Sequence, residues 1–88
     1  MAQDAYFDID QRVRNTLARV FHLSAAEIGG DLRMGHSPFW DSMGHMQLLI
    51  ELEKEFSLTF PTYEIAELLS TEAIIKTVEK YVQDRLPG

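Results

Sequence analysis

Three stretches of this chain repeat apolar residues at spacings of three and four, and no stretch alternates them for more than a few residues. A repeat near 3.6 marks a helix with one buried face, whereas alternation marks a strand. The first stretch runs from about Asp8 to His22. Ile9, Val13, Leu17, Val20 and Phe21 share one stripe, and Gln11, Arg12, Arg14, Asn15 and Arg19 fill much of the rest. The second starts at Asp41-Ser42 and runs to Phe56. The last follows Ser70-Thr71, with Glu72 in the first turn, where the helix dipole favours an anion. Ile74, Ile75, Val78, Tyr81 and Val82 form its stripe, and it ends before Pro87-Gly88. A short helix, about Thr62 to Leu69, is expected between them. Pro61 cannot continue an earlier helix, and Thr62 can cap a new one. Leu58 to Phe60 is the best strand candidate and is too short. The expected class is all-α: a small four-helix bundle with a long first loop and a short third helix.

That first loop, Ser24 to Trp40, is broken by Gly29-Gly30, Gly35 and Ser37-Pro38. Yet it carries Ile28, Leu32, Met34, Phe39 and Trp40. A connection so long and so apolar is expected to pack on the core and to carry function, with one helical turn at Ala25 to Ile28.

With 88 residues, the chain is expected to form one domain over 1–88, its core at about 8–85. There is no cysteine, which excludes disulfides and thiolate chemistry and suits a reducing compartment. No apolar run reaches membrane-spanning length. Met1 to Asp10 lacks the basic and apolar regions of a signal peptide. A cytoplasmic monomer without membrane insertion is therefore expected. The net charge of −6, from 14 acids against 8 bases, argues against nucleic acid or anionic lipid as a partner. It favours partners with basic surfaces, or serves solubility alone.

The second helix carries most of the information. On a wheel of about 100° per residue, Leu48, Leu49, Leu52 and Phe56 cluster on one arc with His45 inside it. Met43, Met46 and Ile50 form a second apolar arc beyond Glu53. A surface helix needs one such arc. The second is either a docking surface, for which adaptable Met side chains suit several partners, or is covered by the third helix. Ser42 also has two readings. It can simply cap the helix. Alternatively, its hydroxyl is a solvent-exposed attachment point, where a phosphate would lie near unpaired N–H groups. Gly44 would then clear space for another protein to approach.

The segment WDSMGHMQLLIELEKEF, followed by SLTFP, resembles the acyl carrier and peptidyl carrier protein family. An Asp31-Leu32 pair lies ten residues upstream of Asp41-Ser42, and the resemblance spans about Asp8 to Val82. The family's four-helix fold matches the pattern above. The resemblance implies that Ser42 carries 4′-phosphopantetheine, transferred from coenzyme A by a phosphopantetheinyl transferase. It implies that Asp41 and Met43 flank the modified serine as recognition residues. The expected partner-facing residues are Met43, Met46, Gln47, Ile50, Glu53 and Ile65. The partners implied are that transferase, an acyl- or aminoacyl-activating ligase, and a downstream transferase or synthase. His45 and Leu49 are candidates for lining a cargo pocket, although His45 equally fits a ring that fills the helix entrance. Met43 stands where Leu is usual, and this variant is similar to D-alanyl and aminoacyl carriers. Gln47 and Lys54 stand where fatty-acid carriers often have acids, which shifts the expectation away from bulk fatty-acid synthesis.

Other chemistry is poorly served. Ser42 followed by His45 is not the Gly-x-Ser-x-Gly elbow of a hydrolase. His22, His36 and His45 lie on different elements without paired ligand spacing, so no metal site is expected. Asp31 to Ser42 has the length of a calcium loop but lacks its ligands: Arg33, His36 and Ser42 stand at positions three, six and twelve. The expected function is that of a non-enzymatic carrier. The rival is an acidic helical interaction module without a prosthetic group, in which Ser42→Asp would leave function intact.

Overall fold

A computed structural model describes residues 2–85, with side chains from residue 9 to residue 84. Met1 and residues 86–88, which include the expected Pro87-Gly88 stop, lie outside the described residues. The protein is all-α, with helices α1 (Ala2–Phe21), α2 (Ser42–Phe56), α3 (Thr62–Ile65) and α4 (Thr71–Arg85). A single 3₁₀ turn, Ala25–Glu27, interrupts the long first loop. Among the described residues there is no strand, only an isolated bridge between Arg33 and Ser70.

The helix starts and stops follow local chemistry. α1 begins at Ala2 rather than near Asp8, since Ala2 to Phe7 contain neither Pro nor Gly. It stops at His22, which takes a left-handed conformation at φ 60°. The Leu23 N–H then donates back to the Ala18 carbonyl at 2.9 Å. α2 ends the same way: Ser57 has φ 53°, and Leu58 N–H reaches Glu53 O at 3.1 Å. This is the six-to-one closure of a Schellman motif, with an apolar residue following the left-handed one. α4 is capped by the Ser70 hydroxyl, which accepts from Ala73 N–H at 3.1 Å.

Two expectations for α3 need correction. It is a single turn, not a helix to Leu69. The Leu69 carbonyl accepts from Met34 N–H at 2.8 Å and Ser70 bridges Arg33, so the chain leaves the helix to pair with the first loop. Thr62 makes no side-chain cap; Pro61 occupies that position in extended geometry.

The core joins three helices and the loop. Ile9, Val13 and Leu17 of α1, Leu48 and Leu52 of α2, and Ile74 and Val78 of α4 are fully enclosed. Ile28 and Trp40 from the first loop are enclosed with them, and Leu32, Met34 and Phe39 pack half-buried against the cluster. The loop is thus a fourth wall of the core, as its apolar content requires. Arg12 fastens α1 to the end of α2. Its Nε lies 2.9 Å from the Glu55 carboxylate, a second nitrogen donates to the Glu55 carbonyl at 2.8 Å, and its guanidinium lies 4.5 Å from the Phe56 ring centre. No helix among the described residues is long and apolar enough to cross a membrane.

Candidate functional site at the start of α2

The approach to Ser42 is built by the residues before it. Gly35, at φ +87°, turns the loop in a conformation that favours glycine. Its N–H donates to the Trp40 carbonyl at 3.1 Å, and Trp40 N–H donates to Ser37 O at 3.2 Å. Trp40 is wholly enclosed. Its ring lies 5.3 Å from that of Phe21, and Phe21 in turn lies 5.2 Å from Phe39. This aromatic cluster anchors the loop two residues before Ser42.

Asp41, not Ser42, caps the helix. It is extended (φ −100°, ψ −169°), and its carboxylate accepts from Gly44 N–H at 2.8 Å. Ser42 is the first helical residue and is exposed. Among the described residues nothing hydrogen-bonds its hydroxyl, and the N–H groups of Ser42 and Met43 have no acceptor. The capping explanation for a serine here is therefore removed, since its neighbour performs that task.

Gly44 has a different reason from the one the sequence offered. A Cβ there would lie 2.6 Å from the Phe39 carbonyl oxygen and 3.1 Å from the Phe21 ring. The missing side chain makes room for this protein's own loop.

The residues singled out beforehand divide into two groups. Met43, Met46 and Ile50 are 82%, 55% and 49% exposed, and Gln47 is exposed with them, so α3 does not cover this arc. Glu53 is half-buried, its carboxylate accepting from Phe60 N–H at 2.8 Å. Ile65 is half-buried against the core. Two residues of the α3 region that the sequence did not single out, Tyr63 at 74% and Leu69 at 43%, are exposed. A one-turn helix offers too few residues for a wheel to show which of them face outward.

His45 and Leu49 are buried together with Leu48, Leu52 and Phe56 on the inner face of α2. The Trp40 indole donates to His45 Nδ1 at 3.0 Å, with the rings stacked at 28°. An indole N–H can only donate, so Nδ1 carries the lone pair and Nε2 the hydrogen. Nε2 lies 3.4 Å from the Ile65 carbonyl. Among the described residues, one open cleft lies between α1 and α4 around Arg14 and Lys76, and another in the first loop around Arg33 and His36. Neither is lined by Ser42, His45 or Leu49. Among the described residues no group of three or more His, Asp or Glu is placed to hold a metal.

Fold and site together define a class: a small helical bundle that presents one exposed serine at the first turn of a helix, beside an exposed apolar strip. No protein-family model matches the chain. It is 31% identical over 72 residues to the non-reducing polyketide synthase dbaI of Emericella nidulans, a match covering 82% of this chain and 3% of that protein. The chain therefore spans a small fraction of the relative's length.

Proposed function

We propose that the protein is a non-enzymatic carrier. In this reading it holds an acyl or aminoacyl group on 4′-phosphopantetheine attached at Ser42 and presents that group to partner enzymes in biosynthesis. The observation that carries the reading is the division of labour at the start of α2. Asp41 takes the capping bond, and Ser42 is left exposed with an unused hydroxyl. The likeness to a short stretch of a polyketide synthase agrees with it.

The residues present fit the group. A phosphodiester on Ser42 Oγ would lie at the positive end of a 15-residue helix, close to the N–H groups of Ser42 and Met43 that lack acceptors. When bound, the group supplies a terminal thiol on a flexible arm, which carries the cargo as a thioester. The chain's own part is to position and to be recognised. Asp41 fixes the turn. Met43, Met46 and Ile50 offer adaptable apolar contact to the loading transferase, to an activating ligase and to a downstream transferase or synthase in turn, with Gln47 at their edge. Tethering raises the cargo's effective concentration at each partner.

The test is an intact-mass spectrum after incubation with coenzyme A and a broad-specificity phosphopantetheinyl transferase. Wild type should gain one phosphopantetheine, and Ser42→Ala should gain none while keeping its helical circular dichroism. A folded wild type that gains nothing from more than one transferase would leave the exposed strip as the site of an interaction module without a prosthetic group.

A further inference from the structure

Two elements after the first loop carry exposed side chains of partly apolar character: the Met43, Met46 and Ile50 strip of α2, and Tyr63 on α3. What holds them in register lies beneath. α3 is four residues long and none of them is buried, so it has little apolar anchorage of its own. Leu68, just after it, is enclosed, and Tyr81 of α4 donates its hydroxyl to Glu64. The Ile65 carbonyl of α3 lies 3.4 Å from His45 Nε2 of α2, beside the packing of the Ile65 side chain on the core. The opposite nitrogen of the same ring accepts from Trp40, two residues before Ser42. His45 is 5% exposed; its bond from Trp40 lies away from water, where losing a partner is costly, and its approach to the Ile65 carbonyl is partly buried.

We infer that His45 is a positioning residue: one neutral imidazole, bolted between Trp40 and Ile65, fixes the Ser42 turn and α3 as a single docking unit. The inference rests on the carrier reading for what docks, and on geometry alone for the bolt. The ring is suited to the task because it accepts on one edge and donates on the other, with both partners fixed. The indole can only donate and the carbonyl can only accept. A glutamine reproduces that polarity through its carbonyl oxygen and amide nitrogen, whereas leucine supplies neither and leaves the buried Trp40 N–H without a partner.

The experiment compares wild type, His45→Gln and His45→Leu by amide hydrogen exchange and by the kinetics of transferase loading. His45→Leu should speed exchange in residues 35–41 and 61–69 by about five- to tenfold, with α1 and α4 amides little changed. Its KM for the transferase should rise about threefold or more at unchanged kcat, because the folded carrier presents a looser surface. His45→Gln should return both readings most of the way to wild type. Faster exchange spread evenly over α1 and α4 with KM unchanged would make His45 an ordinary core residue and overturn the inference. So would a glutamine variant that behaves like leucine. If His45→Leu does not fold, Trp40→Phe replaces it; this removes the donor together with part of the enclosed ring, so for the inference to stand residues 61–69 must loosen as well as the loop beside the cavity, with α1 and α4 amides little changed. A wild type that accepts no phosphopantetheine would end the carrier reading, while the exchange data would still decide the bolt.

Discussion

Gly44 shows how little space separates the loop from α2 near Ser42. An added methyl would meet the Phe39 carbonyl oxygen at 2.6 Å, and that atom is backbone with no rotamer to change. Gly44→Ala must therefore displace the loop that ends at Trp40. We expect a destabilisation of about 1–3 kcal/mol, the usual cost of overpacking, read by urea denaturation. The helix itself should gain, because alanine is the better helix former by about 1 kcal/mol, so an unchanged or raised midpoint would mean that the loop yields easily. The sequence placed this glycine two residues after the serine but could not say which side its empty space faced. The loop that fills it obeys no periodicity. The same is true of the Trp40–His45 bond. Five residues apart across a helix start, the pair matches neither helical nor strand spacing.

The inner face of α2 was legible as far as its last residue: His45, Leu48, Leu49, Leu52 and Phe56 are its buried positions, the arc the wheel groups together. α3 was legible only in existence. Its end is set by residues 69 and 70 pairing with residues 33 and 34, a contact between distant segments that local propensity does not encode. What secures α3 to α4 has a measurable signature. Tyr81 donates to Glu64 and packs edge-on against Phe60, with ring centres 6.0 Å apart. The hydrogen bond to the carboxylate, with partial burial and nearby negative charge behind it, pushes the Tyr81 pKa up to about 12 from an ordinary 10.0. A group whose folded pKa is raised adds stability that is fully present below its unfolded pKa and is lost as pH climbs through the folded one. The contribution of Tyr81 should thus be intact up to pH about 10 and disappear towards pH about 12. Melting temperatures of wild type and Tyr81→Phe should differ by a constant amount below pH 10 and converge above it. A gap that stays constant to pH 12 would show that the hydroxyl contributes nothing through its proton.

The bundle's charge is organised so that most of its cations are already engaged. Arg12, Arg14, Arg19, Lys54 and Lys76 all sit in ion pairs, with Glu55, Asp10, Glu51, Glu51 again and Glu72. These exposed or half-exposed pairs add little stability individually, and the chain keeps a net charge of −6 as an acidic field around them. A basic partner would feel that field before contact, and the apolar strip of Met43, Met46 and Ile50 would act after it. The two contributions separate by salt. Raising ionic strength from about 0.05 to 0.5 M shortens the screening length from more than 10 Å to a few ångströms. If long-range attraction guides loading at Ser42, the transferase KM should rise severalfold over that range at unchanged kcat. Met46→Asp should raise KM further at high salt, where its added charge is screened and only the lost apolar contact remains. A wild-type KM that ignores salt while Met46→Asp still raises it would assign recognition to the strip alone and the acidity to solubility.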